Sequence, residues 1–260
     1  MVEAKTDAKP LALLIPGLDG TGKLFSFQLE ALARKYRVCA WSYQAGADFD
    51  LADLTGKLAS ATASEAPGSI LVVGESFGGL VALDYVLRYP DPVRRLILVN
   101  TFPYYRWRLR LRLAEALTPL LEVKFARQVR HFIIDRVLRS EGIPPDGRLQ
   151  FHEAIKQVDP IGYRRRLQLI RETDLRPRLG EIAVPTVLLA SARDKLVPSI
   201  PEAYFMASRI PRSRVHEFPK AGHALMLTPG ISLANYEAES FPTSEPGHPT
   251  SDLSGGRFSS

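Results

Sequence analysis

The chain of 260 residues has a single cysteine, Cys39, so no disulfide can form within it. That fits a reducing cytoplasm, and Cys39, inside the apolar run RVCAW, reads as core packing. Long apolar runs are also missing: the longest, such as Leu11 to Ile15, reach about five residues. A signal peptide needs about 7–15 and a membrane helix about 20, whereas the N-terminal MVEAKTDAKP is polar and carries acids. The expectation is a cytoplasmic protein that is not an integral membrane protein. No internal repeat is evident. Residues 241–260, FPTSEPGHPTSDLSGGRFSS, are poor in large apolar side chains and read as a disordered tail.

What is there, 45% apolar and 24% charged, suffices to bury a core. Short β-type runs recur over the first hundred residues: LALLI, RVCAW, ILVVG and RLILVN. Between them, helical spacing runs over about 25–35, 51–65 and 79–89. A similar unit returns late, as PTVLLASARD, PEAYFMASRI, SRVHEF and a final helix-like ISLANYEAESF. Such alternation predicts an α/β domain, a mostly parallel sheet with helices on both faces, built from residues 1–100 and 178–240. Over 101–177 the strand signal gives way to helical spacing, as at Leu113, Leu117, Leu120 and Leu121, and a helical insertion is expected. The alternation RWRLRLRL at 106–113 also suits a strand.

Two motifs compete for the chemistry. From Gly17 to Lys23 the chain reads G-x-x-x-x-G-K, but Leu24 follows where a phosphate-binding loop places the Ser or Thr that ligates magnesium. An NTPase is therefore disfavoured. Gly74-Glu75-Ser76-Phe77-Gly78 matches G-x-S-x-G between the apolar ILVV and the helix-like GLVALDYVLRY, the context a nucleophile elbow requires. Its glycines would let the backbone turn sharply and lift the Ser76 hydroxyl above the carboxyl edge of the sheet. A Gly-rich turn with an incidental Ser is the plainer alternative.

A serine hydroxyl needs a base. Of the five histidines, His248 falls in the tail, His131 and His152 in the insertion, and His216 within SRVHEF. His223, in PKAGHALMLT, follows the last strand and returns to the carboxyl edge near Ser76, unless it is merely a satisfied loop histidine. Asp194, just after the strand PTVLLAS, is the candidate acid, with a helix cap as its alternative role. The rival position, at the end of RLILVN, holds the uncharged Asn100.

The chain order Ser76, Asp194, His223 resembles the α/β-hydrolase superfamily, over nearly the whole chain apart from the tail. PGLDGTG, GESFGG and GHALML are similar to the esterase-like domains of phytyl ester synthases and related bacterial esterases. The resemblance implies an oxyanion hole from the backbone N–H groups of Leu18 and Phe77, each donor worth about 3 kcal/mol in the transition state. Pro16-Gly17 stands where many members have His-Gly, which removes a side chain that often braces this loop. Residues 101–177 would form a lid, with Phe102 and Trp107 against the acyl chain. The implied activity is hydrolysis of a small-molecule carboxylic ester through an acyl-enzyme on Ser76, without metal or cofactor. Acyl transfer or thioester cleavage at the same acyl-enzyme, or a non-catalytic ligand-binding protein, are the alternatives.

Residues 104–178 hold 17 Lys+Arg against 9 Asp+Glu, and the rest of the chain 17 against 19, so the +6 net charge resides in the insertion. Three explanations stand open. Solvated helix faces would suffice; an anionic acyl carrier or lipid surface would also fit. Nucleic acid is set aside, because charge alone supplies no reading motif.

Overall fold

A computed structural model of the protein describes residues 9–117, 134 and 142–241. Six strands, β1 (Leu11–Ile15), β2 (Arg37–Ala40), β3 (Ile70–Glu75), β4 (Val93–Val99), β5 (Thr186–Ser191) and β6 (Ser213–Phe218), form one sheet in the order β2-β1-β3-β4-β5-β6. Every strand pair is parallel. The runs β1, β3 and β5 are buried at every residue, as parallel strands covered on both faces must be, whereas the edge strands β2 and β6 mix half-buried and exposed positions.

Period-two alternation splits the core into two layers. Leu13, Val72, Leu98 and Leu188 face a layer closed by α2 (Leu51–Ala61) and α3 (Phe77–Arg88). Leu14, Val73, Ile97 and Val187 face the other, which includes Leu32 of α1 (Ser26–Ala33) and Leu225, Met226 and Leu233. A capping box starts α2: Asp53 N–H donates to the Asp50 carboxylate at 2.8 Å, and Asp50 N–H donates to that of Asp53 at 2.7 Å.

Between β4 and β5 the described residues hold α4 (Arg108–Leu117), α5 (Pro145–Lys156) and α6 (Pro160–Glu172). RWRLRLRL is thus helical from Arg108 onward rather than a strand. Leu111 is buried there, while Leu113, expected on a covered helix face, stands 56% exposed. The spacing read at Leu120 and Leu121 lies outside the described residues, as does the tail beyond Phe241. Helix α7 (Ser199–Ala207) precedes β6.

The helix expected at ISLANYEAESF is not formed; only a short 3-10 turn, Leu233–Asn235, occurs there. Side chains from the sheet domain have captured the backbone groups a helix would use. Gln28 donates to the carbonyls of Met226 and Ile231 and accepts from Leu233 N–H at 2.9 Å. Arg95 donates to the carbonyls of Tyr236 at 3.2 Å and Glu239 at 2.6 Å. The Glu237 carboxylate takes Lys35 and the Tyr36 hydroxyl. Cys39 is half-buried against the core and free of disulfide bonding.

Candidate active site

In this strand order the chain leaves β1 toward one edge for β2 and crosses to the other side for β3, so β1 and β3 flank the topological switch point. Open α/β sheets bind ligands outside the carboxyl ends at such a point. Ser76 lies there, directly after β3, with φ 55° and ψ −120°, a conformation that costs a non-glycine residue about 1–3 kcal/mol. Its backbone is fixed on both sides. Ser76 N–H donates to Val99 O at 2.9 Å, and its carbonyl accepts from the Thr101 hydroxyl at 2.6 Å and Gly79 N–H at 3.0 Å. Gly78 is required by close approach, since a Cβ there would fall 2.1 Å from the Ile15 carbonyl oxygen.

The structure brings Ser76, His223 and Asp194 into one series. His223 Nε2 lies 3.1 Å from Ser76 Oγ, and His223 Nδ1 lies 2.7 Å from Asp194 Oδ2. An ionised carboxylate only accepts, so Nδ1 carries the proton and the Nε2 lone pair is left for the serine hydroxyl. Burial works to raise the Asp194 pKa, but the charge of His223 and hydrogen bonds from His223, Ser199 and Val197 outweigh it and hold it below the usual carboxylate range. Leu196 N–H at 2.8 Å and Val197 N–H at 3.0 Å donate to Oδ1, so the carboxylate is oriented as well as charged.

Asn100, which sequence reasoning passed over for want of charge, ties these loops together. At φ 45° and 1% exposed, it accepts from Ser191 N–H at 2.9 Å. Its amide donates to Ser191 Oγ at 3.0 Å, Gly222 O at 3.2 Å and His223 O at 2.9 Å. An Asn at the end of RLILVN, a residue type that tolerates positive φ, was the available signal.

Leu18 and Phe77 face no competition as donors: among the described residues neither backbone N–H reaches an acceptor. Gly20 N–H donates to Gly17 O at 3.2 Å. A planar trans peptide sets its N–H opposite its C=O, so this bond also fixes the direction of the Leu18 N–H. Phe102 is buried in the core, edge-on to Tyr105 at 5.1 Å, and Tyr105 is edge-on to Trp107 at 5.7 Å, which is 36% exposed. His216 is not brought to the site; its Nε2 lies 3.0 Å from the Glu239 carboxylate. His131 and His248 lie outside the described residues. Among the described residues no group of three His, Cys, Asp or Glu could hold a metal, and no helix is long and apolar enough to cross a membrane.

Comparison with known proteins agrees with this architecture. Residues 66–229 match the model of the alpha/beta hydrolase fold family. The chain is 30% identical over 180 residues to a pimeloyl-[acyl-carrier protein] methyl ester esterase of Chromobacterium violaceum, covering 66% of this chain and 69% of that one. It is 27% identical over 235 residues to the Serratia proteamaculans protein named "Putative carbamate hydrolase RutD", covering 86% and 87%. An esterase from Exiguobacterium antarcticum superposes with a TM-score of 0.71 at 19% identity, covering 85% of this chain and 87% of that one. With its parallel sheet, its serine at a strained strand-to-helix turn and the family match across most of its length, the chain belongs to the α/β-hydrolase fold family.

Proposed function

We propose that the protein is a serine hydrolase of carboxylic esters. The observation that carries this reading is the series Ser76–His223–Asp194, set beside two backbone N–H groups with no acceptor of their own. Nε2 of His223 takes the Ser76 proton as Oγ attacks the acyl carbonyl. Asp194, already charged, stabilises the imidazolium without accepting its proton. The carbonyl oxygen gathers negative charge between the Leu18 and Phe77 amides. His223 then protonates the departing alcohol, and water enters by the same route in reverse to release the acid and restore Ser76. The relatives named as hydrolase and esterase support the reaction class.

The helices between β4 and β5 serve in this reading as a lid, with Phe102 and Trp107 at the acyl side. The Chromobacterium relative is named for a carrier-bound acyl group, and the basic 104–178 stretch suits an anionic carrier. Some of those arginines are engaged within the protein, however. Arg171, Arg176 and Arg178 pair with Glu115, Asp174 and Glu181, and Arg110 lies over the Trp107 ring at 4.5 Å. A small acyl ester is therefore the proposed substrate class, with carrier binding secondary.

Hydrolysis of p-nitrophenyl esters from acetyl to palmitoyl, with and without octanol, by wild type and Ser76→Ala tests the proposal. Turnover that disappears in Ser76→Ala is the expected result, and octyl ester formed with octanol would redirect the reading to acyl transfer. Absent turnover in the wild type, or equal turnover in the variant, contradicts it.

A further inference from the structure

The loop that carries the Leu18 amide begins at Pro16, which has neither an N–H nor a polar side chain with which to brace itself. Its first three carbonyls are nevertheless engaged. Pro16 O accepts from the Tyr43 hydroxyl at 2.9 Å, Gly17 O from Gly20 N–H, and Leu18 O from Arg166 Nε at 3.1 Å. Arg166 comes from α6, 148 residues away along the chain, and is only 2% exposed. Its guanidinium lies 5.4 Å from the Tyr43 ring centroid, and the same ring meets Phe77 edge-on at 5.7 Å. The two side chains thus form one stack over the loop, touching the residues on both sides of the prospective oxyanion hole.

The surroundings are built to keep this guanidinium in place. Among the described residues it forms no ion pair; Asp19 and Asp159 act on its charge from farther away. Asp159 also caps α6, accepting from Ile161 and Gly162 N–H, and takes Gly46 N–H at 2.7 Å, which ties the helix start to the loop that bears Tyr43. Gly20, at φ 74°, lets the guanidinium lie against the loop backbone, since a Cβ there would come within 3.0 Å of the guanidinium carbon. Among the described residues this buried cation makes one hydrogen bond, a costly choice for packing alone.

We propose that Arg166 and Tyr43 are positioning residues that lock the oxyanion loop, holding the peptides on either side of the Gly17–Leu18 unit, so that α6, within the basic stretch, steadies the backbone that presents the Leu18 N–H. This rests on the ester-hydrolase reading. Planar peptides couple each carbonyl to the next amide, so holding the carbonyls of Pro16, Gly17 and Leu18 fixes the amides of Gly17, Leu18 and Asp19. Neither side chain touches the reacting atoms in this scheme. Their loss weakens binding of the developing oxyanion, which is a transition-state interaction, and leaves ground-state binding intact.

The test compares Arg166→Met, Arg166→Lys and Tyr43→Phe with wild type and Ser76→Ala on one p-nitrophenyl ester, with thermal denaturation of each. Arg166→Met is expected to lower kcat by about 10–100-fold, below the full loss of an oxyanion donor, with KM within about twofold of wild type. Arg166→Lys, which keeps a donor for Leu18 O, recovers part of that loss. Tyr43→Phe lowers kcat by about 3–10-fold, and a variant combining Arg166→Met with Tyr43→Phe falls short of the product of the two, because both residues hold one loop. Should Arg166→Met fail to fold, Arg166→Lys and Tyr43→Phe carry the test. Unchanged kcat in the folded variants, or a loss carried by KM, overturns the inference alone while Ser76→Ala is inactive. Turnover surviving in Ser76→Ala overturns the hydrolase reading and the inference with it.

Discussion

Two buried carboxyl groups share the electrostatic neighbourhood of Ser76 and are held in opposite states. Asp194, in the loop after β5, receives hydrogen bonds from His223, Ser199 and two backbone amides and stays ionised. Glu75, the last residue of β3, receives none among the described residues. Burial pushes its pKa up to about 8, with His223 opposing and Asp19 and Asp194 adding to the rise. Burial is common to both, so donors decide which carboxyl keeps its charge. A strand end inside the sheet has already spent its backbone N–H groups on neighbouring strands, whereas a loop has amides to spare. The consequence is that near neutral pH His223 faces one anion, oriented by the loop, rather than two.

The largest effect should come from removing that anion. Asp194→Asn keeps the shape but withdraws the acceptor that fixes the His223 tautomer, and a fall in kcat of about 10⁴ is expected. Steady-state ester hydrolysis with circular dichroism as a fold control checks this; a loss under about tenfold would break the contrast between the two acids.

Glu75→Gln probes the other side through stability. Unfolded, Glu75 titrates near 4.5; folded, near 8. Below the lower value both states hold the proton and the contribution is complete. As pH rises between the two values only the unfolded chain ionises, so stability falls, by up to about 1.4 kcal/mol per pH unit, and levels off above the folded pKa. Urea denaturation at pH 5 to 9 should show a slope in the wild type that Glu75→Gln reduces. Parallel curves would mean that Glu75 is ionised when folded.

Asn100→Ala leaves Ser191 N–H without its acceptor and releases the carbonyls of Gly222 and His223. An unsatisfied buried group costs about 1–3 kcal/mol, and the loop holding His223 loosens with it. Denaturant titration measures the first and kcat the second. A neutral outcome in both would reduce Asn100 to a spectator. The smallest effect belongs to Trp107→Ala. With the ring 36% exposed, a shift in acyl-length preference of under about tenfold is expected, read from the p-nitrophenyl series.

The strands were legible because LALLI, ILVVG and TVLLAS are short, β-rich continuous apolar runs alternating with helical segments, which suits a doubly covered parallel sheet. The meeting of Ser76, Asp194 and His223 was legible because each follows a strand and therefore returns to the same edge. What could not be read depends on contacts distant in sequence. Arg166 reaches Leu18 across 148 residues, and Gln28 and Arg95 hold the final segment out of a helix. Local pattern set Asn100 aside as the acid but did not show its tying role, because that lies in hydrogen bonds to residues distant in sequence. In RWRLRLRL, alternating Arg and Leu has the period of a strand, yet the guanidinium groups of Arg108 and Arg110 lie over the Tyr104 and Trp107 rings, and the segment folds as a helix from Arg108 onward.

The most direct test of the central claim needs no substrate. Intact-mass analysis after treatment with a fluorophosphonate should show one phosphonyl group added per chain in the wild type, mapped to Ser76, and none in Ser76→Ala, with labelling slowed in His223→Ala. A wild-type chain that takes no label, or a Ser76→Ala chain that takes it equally, would contradict the account of Ser76 as an activated nucleophile.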